Sequence, residues 1–151
     1  MSQRDRIKMS DEEIESFLRR QRKLQIASVN PDGAPHLVTM YYDLIDGDLA
    51  FWTYGKAQKV VNLRRDPRIT CLVEDGILYG ELRGVTVFGD AELIEDYERV
   101  VPFGMALTAR YPEVFGPDAE ALRPFVEQQA RKRVVVRVRA KRVASWDHAK
   151  M

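Results

Sequence analysis

Cysteine is almost missing from this 151-residue chain. Cys71 stands alone, so no intrachain disulfide can form. It sits in the apolar run Ile69-Thr70-Cys71-Leu72-Val73 and reads as a small core residue. No histidine nearby would activate it as a nucleophile. Histidine is equally scarce. His36 and His148 lie far apart in sequence, and neither has a second ligand at helical or hairpin spacing, so no metal site is expected. His36, after Pro35, reads as an exposed or capping residue at a strand start. Charge of one sign is also lacking: 24 Lys and Arg face 23 Asp and Glu, a net charge of +1. That balance argues against a protein that coats nucleic acid or an anionic membrane. No apolar run approaches the roughly 20 residues of a membrane span. The start MSQRDRIKMSDEE is too polar for a secretory signal, so the expected compartment is the cytoplasm.

What remains reads as one domain, residues 1–151, dominated by antiparallel strands. Ser10-Asp11-Glu12-Glu13 carries capping-box spacing, and Ile14, Phe17 and Leu18 share a face, which predicts a helix over 10–22. Leu24–Val29 reads as a strand, Pro31-Asp32-Gly33 as a turn and His36–Ile45 as a second strand. Asp46-Gly47-Asp48 turns the chain into a third strand, Leu49–Thr53, giving a meander of hairpins. Ala57–Arg65 reads as a short helix stopped by Asp66-Pro67. Ile69–Val73 follows as a strand, Glu74-Asp75-Gly76 as a hairpin turn, and Tyr79–Ile94 as a long strand. Its glycines, Gly80, Gly84 and Gly89, suggest bends where a sheet curls into a small barrel. Helices over 96–111 and 118–131 precede a last strand, Val134–Val143. A doubly wound parallel sheet is excluded, because helices do not separate most strands.

The most informative stretch runs from Thr53 to Arg68. A strand ends at Thr53-Tyr54, Gly55 turns the chain, and a helix begins whose first turn offers backbone N–H groups and the positive dipole end. Lys56 and Lys59 lie one helical turn apart, so both ammonium groups can reach one point. This suits a phosphate or a polyacidic tail, although lysines at a helix start are commonly only solvated charges. The order Gly55-Lys56 lacks the remaining elements of a Walker loop, and no Rossmann glycine pattern lies between a strand and a helix. Arg64-Arg65 and Arg68 read as a solvated helix end. Arg131-Lys132-Arg133 with Arg137, Arg139, Lys141 and Arg142 forms a second basic cluster. It guards a sheet edge or lines an acidic ligand's groove. Tyr41, Tyr42, Phe51, Trp52 and Tyr54 supply core packing, with a fraction expected at a pocket wall or dimer seam.

The run Gly55-Lys56-Ala57-Gln58-Lys59, then Asn62-Leu63-Arg64-Arg65-Asp66-Pro67-Arg68, resembles the pyridoxamine-phosphate-oxidase-like split-barrel superfamily. Asn30-Pro31-Asp32-Gly33-Ala34-Pro35-His36, Leu82-Arg83-Gly84-Val85 and Ser145-Trp146-Asp147-His148 extend the resemblance over nearly the whole chain. Within that superfamily it looks most like the actinobacterial F420-dependent oxidoreductases of the B group. The resemblance implies an antiparallel split β-barrel, a homodimer, and a redox coenzyme held between subunits. That coenzyme would be the deazaflavin F420, with FMN as the alternative. Its phosphate would rest on Thr53, Tyr54, Gly55, Lys56, Ala57 and Lys59. Its ring would lie along Val38, Thr39, Met40 and Tyr41. The second subunit would add Leu78, Tyr79 and the segment near Arg133. No dedicated general acid stands out; Tyr41, Tyr79 or solvent can supply a proton. The substrate residues of vitamin B6 oxidation are not evident. A non-catalytic coenzyme-binding dimer is the other outcome this resemblance allows.

Overall fold

The computed structural model describes residues 1–151. A single N-terminal turn, α1 (Gln3–Arg6), precedes α2 (Asp11–Arg20). The capping box is present: Ser10 Oγ accepts the Glu13 N–H at 3.2 Å, and Glu13 accepts the Ser10 N–H at 3.1 Å. Phe17 and Leu18 carry the buried face of α2. Four strands follow: β1 (Leu24–Val29), β2 (Pro35–Met40), β3 (Asp43–Ile45) and β4 (Asp48–Tyr54). Then come α3 (Gln58–Arg65), β5 (Arg68–Asp75) and β6 (Arg83–Ile94). The chain closes with α4 (Tyr97–Arg110), α5 (Pro112–Phe115), α6 (Arg123–Ala130) and β7 (Arg133–Asp147).

All seven strands form one antiparallel sheet in the order β2-β1-β5-β6-β7-β4-β3. The two edge strands, β2 and β3, are separated in sequence only by Tyr41 and Tyr42. Three residue steps span at most about 10 Å, so opposite edges of the sheet must meet at that corner. The sheet therefore curls into the expected split barrel. The predicted strand His36–Ile45 is really two strands, and the predicted meander is two hairpins on opposite edges. The break has a local cause. Tyr42 is fully buried, its N–H donates to the Tyr111 hydroxyl oxygen at 3.1 Å, and the Tyr111 hydroxyl donates to the Tyr42 carbonyl at 2.7 Å. A side chain from the end of α4 thus satisfies the backbone groups that a ladder would otherwise use.

Two cores lie on the two faces of β4 and β7. One fills the barrel with Leu24, Ile26, Phe51, Cys71, Val85, Val136 and Val138. The other packs α4 and α6 on Ala50, Trp52, Ile94 and Val135. Cys71 is the core residue expected, and burial pushes its thiol up to about 12. The barrel bend falls at Gly89: the register shifts between Phe88 and Gly89, leaving Lys141 as the extra residue of a bulge. Two other expectations change. Glu74-Asp75-Gly76 is not a tight hairpin. The connection runs to Leu82 and contains a 3-10 turn at Tyr79–Glu81, so Tyr79 and Gly80 do not belong to β6. His36 is half-buried opposite Ser28, with Nδ1 out of reach of any partner, rather than exposed.

Candidate functional site: a cationic strand–helix corner

The β4–β7 ladder decides the site. Tyr54, the last residue of β4, pairs with Arg133, the first of β7. The Gly55 N–H donates to the Lys132 carbonyl at 2.9 Å. Two basic segments distant in sequence, Lys56–Lys59 and Arg131–Arg133, therefore share one corner. A cleft of about 570 Å³ lies between them, lined by Tyr54, Gly55, Lys56, Arg131 and Lys132. The Arg133 guanidinium stands 4.2 Å from the centre of the Tyr54 ring and 4.9 Å from that of Trp52, and its Nε donates to Gln129. None of Lys56, Lys59, Arg131, Lys132 or Arg133 has a carboxylate partner. Three further cations on β7 are neutralised: Arg137 by Asp48 at 2.9 Å, Arg139 by Glu92 at 2.8 Å, Lys141 by Asp90 at 2.7 Å; Arg142 has no carboxylate partner and lies over the Phe88 ring at 4.0 Å. That neutralisation sets aside Arg137 and Arg139 as walls of an acidic ligand's groove.

The helix start adds to the field. Ala57 occupies the cap of α3 and offers no side chain to the first-turn N–H groups. An uncapped N-terminus beside unneutralised cations produces the positive field that favours an anion. Lys59 is half-buried there. Burial, and after it the Arg133 guanidinium, lower its pKa from the usual 10.5. The site thus holds positive charge that no carboxylate offsets, and an anion there would favour the charged form of Lys59.

A buried polar cluster fixes the angle of α3. Asn62, with no exposed surface, donates to Ser28 Oγ at 3.1 Å and to Asn30 Oδ1 at 3.0 Å, and accepts from Gln58 Nε2 at 2.8 Å. Arg65 donates to the Val29 carbonyl, and Arg64 pairs with Glu95. These contacts assign Arg65 to holding α3 on the β1–β2 hairpin and Arg64 to tying it to the connection after β6. They were expected only as solvated charges.

The remaining predicted residues fall in three places. Thr53 is buried within β4 opposite Val134. Val38 and Met40 turn inward from β2 onto the barrel core, whereas Thr39 is exposed on the other face. Tyr41, just past the strand, packs on Tyr111 and Phe115 at ring distances of 4.9 and 6.2 Å. Because β2 is an edge, alternate backbone N–H and C=O groups point away from β1 and are free for a planar ligand. Leu78 and Tyr79 precede the Arg83–Asp147 end of the β6–β7 ladder, whereas Tyr54 stands beside Arg133 beyond its other end. No contact within the chain joins them to the corner. Arg133 was expected from a second subunit, yet this chain's own copy already stands beside Tyr54. Arg131 and Lys132 were read only as members of a basic cluster, not as neighbours of Lys56. Their charge was visible, but only the β4–β7 register shows where it lands. A wider groove of 940 Å³ near Lys8, Phe88 and Trp146 also carries Asp11, and the helix start it borders, that of α2, is already capped by Ser10 and Glu13.

An open antiparallel barrel with a cationic strand–helix corner is the class of protein that fold and site define. The chain belongs to the pyridoxamine 5'-phosphate oxidase family, whose model matches residues 10–147. The conserved hypothetical protein Rv2991 from Mycobacterium tuberculosis is 45% identical, with a TM-score of 0.90 over 99% of this chain and 92% of that one. A protein described as an F420 reductase is 27% identical, with a TM-score of 0.66 over 86% of this chain and 94% of its own. A FAD-binding protein from Mesorhizobium loti, 20% identical with a TM-score of 0.66 over 91% and 94%, shares the fold. No curated protein matches the sequence. No helix is long and apolar enough to cross a membrane.

Proposed function

We propose that the protein is an F420H2-dependent oxidoreductase that transfers a hydride between the deazaflavin and a small organic substrate, acting as a homodimer. The observation that carries this reading is the five-cation corner without a single carboxylate. One phosphate dianion needs fewer charges than Lys56, Lys59, Arg131, Lys132 and Arg133 supply. A phosphate followed by an acidic tail uses them all, which favours F420 over FMN. The bound coenzyme would supply the hydride chemistry. The protein's own residues bind and orient. The start of α3 and the two lysines hold the phosphate, and Arg131 and Lys132 meet the tail. The free edge of β2 along Val38–Met40 offers in-plane donors and acceptors to the ring. Tyr41, backed by Tyr111 and Phe115, closes one side against water.

The test is titration of purified apo protein with F420 and, separately, with FMN, followed by fluorescence quenching. Lys56→Ala/Lys59→Ala should weaken F420 binding by roughly 100-fold, the worth of two charge-assisted contacts. Unchanged affinity in that variant removes the phosphate assignment. Tighter binding of FMN than of F420 by the wild type removes the coenzyme assignment.

A further inference from the structure

The short helix α5 is attached to the rest of the molecule by little packing. None of its residues, Pro112–Phe115, is buried. Phe115 packs half-buried on the core under α4 and α6. Gly116 ends the helix at φ +100°, and a Cβ on it would meet nothing within 4 Å. A segment with so little buried contact opens more easily than the strands beside it.

What holds it is Arg22, in the link between α2 and β1. The Arg22 Nε donates to the Glu113 carboxylate at 2.8 Å, and a terminal nitrogen pairs with the same oxygen. That nitrogen also donates to the Arg110 carbonyl at 2.7 Å, and the guanidinium lies 4.4 Å from the centre of the Tyr111 ring. Arginine suits this position, because a planar fork stacks on a ring while its edges donate. The contacts fall on Arg110, Tyr111 and Glu113, so one side chain grips the end of α4 and the start of α5 together.

The grip bears on the site through Tyr41. Its ring packs on those of Tyr111 and Phe115, at 4.9 and 6.2 Å, and the residue stays 41% exposed beside the free edge of β2. Tyr111 is fixed, being fully buried with its hydroxyl bonded at the Tyr42 backbone. Phe115 is not, because it rides on α5. The placement of Tyr41 therefore depends, through Phe115, on the Arg22–Glu113 pair.

We propose that Glu113 is a positioning residue: its pair with Arg22 holds α5 so that Phe115 keeps Tyr41 against the coenzyme ring. This rests on the coenzyme site proposed above. Glu113 touches nothing at that site and acts through Phe115 and Tyr41. Glutamine keeps an oxygen that accepts from Arg22, and alanine keeps none. Both substitutions remove one negative charge, so any change in attraction for an anionic coenzyme is shared. The difference between the two variants therefore reads the hydrogen bond alone.

The experiment titrates wild type, Glu113→Ala and Glu113→Gln with F420. At saturation it measures quenching of the bound coenzyme's fluorescence by acrylamide, an uncharged quencher. Glu113→Ala should bind about five-fold more weakly than Glu113→Gln, with a quenching constant raised about two-fold, the scale of one exposed charged pair. Glu113→Gln should stay within about two-fold of wild type in both readings. The thermal midpoint of coenzyme-free protein should be the same in the two variants, which separates positioning from folding. Equal affinity and equal quenching in the two variants overturn the inference and leave the coenzyme site standing. A weaker-binding Glu113→Ala whose thermal midpoint also falls below that of Glu113→Gln overturns it too, because the pair would then serve the fold. Absence of F420 binding by the wild type instead overturns the reading on which it rests.

Discussion

Two residues illustrate how single side chains set this site. Asn62 is the fully buried hub between α3 and the β1–β2 hairpin. Its replacement by leucine strands Ser28, Asn30 and Gln58 without their partners, which costs about 2–4 kcal/mol. At about 2–4 °C per kcal/mol for a domain of this size, calorimetry should find the midpoint lowered by roughly 5 °C or more. Lys59 makes a pH prediction. Its pKa in the free protein lies below the usual 10.5, so the folded state binds fewer protons than the unfolded chain as pH approaches that range. Stability of the free protein from this residue therefore rises as pH climbs through the lowered value. A bound anion stabilises the ammonium and lifts the pKa again. Affinity for an anionic coenzyme should be greatest below the free protein's Lys59 pKa and fall as pH rises through it. Lys59→Arg, charged throughout, should flatten that decline in the same titration. A decline of equal steepness in Lys59→Arg would assign it to another group.

At the scale of elements, the bend in β6 is the feature most open to test. A Cβ on Gly89 would stand 2.2 Å from the Arg139 carbonyl oxygen, which is backbone and cannot rotate away. Gly80 has nothing within 4 Å of the same position. Gly89→Ala should lower stability by about 2–3 kcal/mol and Gly80→Ala by less than about 1. Equal effects in denaturant unfolding would mean that the bulge is not where the barrel is pinned. The glycine spacing in β6 was visible in the sequence, and so was the turn chemistry at Asp32-Gly33 and Asp46-Gly47. The break at Tyr41–Tyr42 was not. It depends on the Tyr111 hydroxyl, 69 residues away, accepting and donating at the Tyr42 backbone. No local pattern in His36–Ile45 could announce it.

For the whole molecule, one face of the sheet is unaccounted for. The ladders align Gln25 with Leu72 and Thr39, Ala27 with Thr70 and Leu37, and Thr70 with Phe88. Ala27, Leu37, Leu72 and Phe88 belong to neither core, and Gln25 Oε1 is buried without a partner. A partly apolar sheet face of this kind suits a second copy. Leu72→Glu should convert a species of twice the chain mass into a monomer in sedimentation, and F420 binding should fall with it. A Leu72→Glu monomer that keeps full affinity would place the coenzyme site within one chain.

Local chemistry by itself determined most of the elements: the capping box of α2, the strands at Leu24 and Ile69, the stop at Asp66-Pro67. It also marked Gly55–Lys59 as cationic, because a strand end, a glycine and a helix start are properties of neighbouring residues. The partnership of that corner with Arg131–Arg133 was decided only by the fold, as were the inward turn of Val38 and Met40 and the distance of Tyr79 from Tyr54. Each depends on which strand lies beside which and in what register. Those pairings are selected by burying two cores at once, a constraint on the whole chain that no stretch of it carries alone.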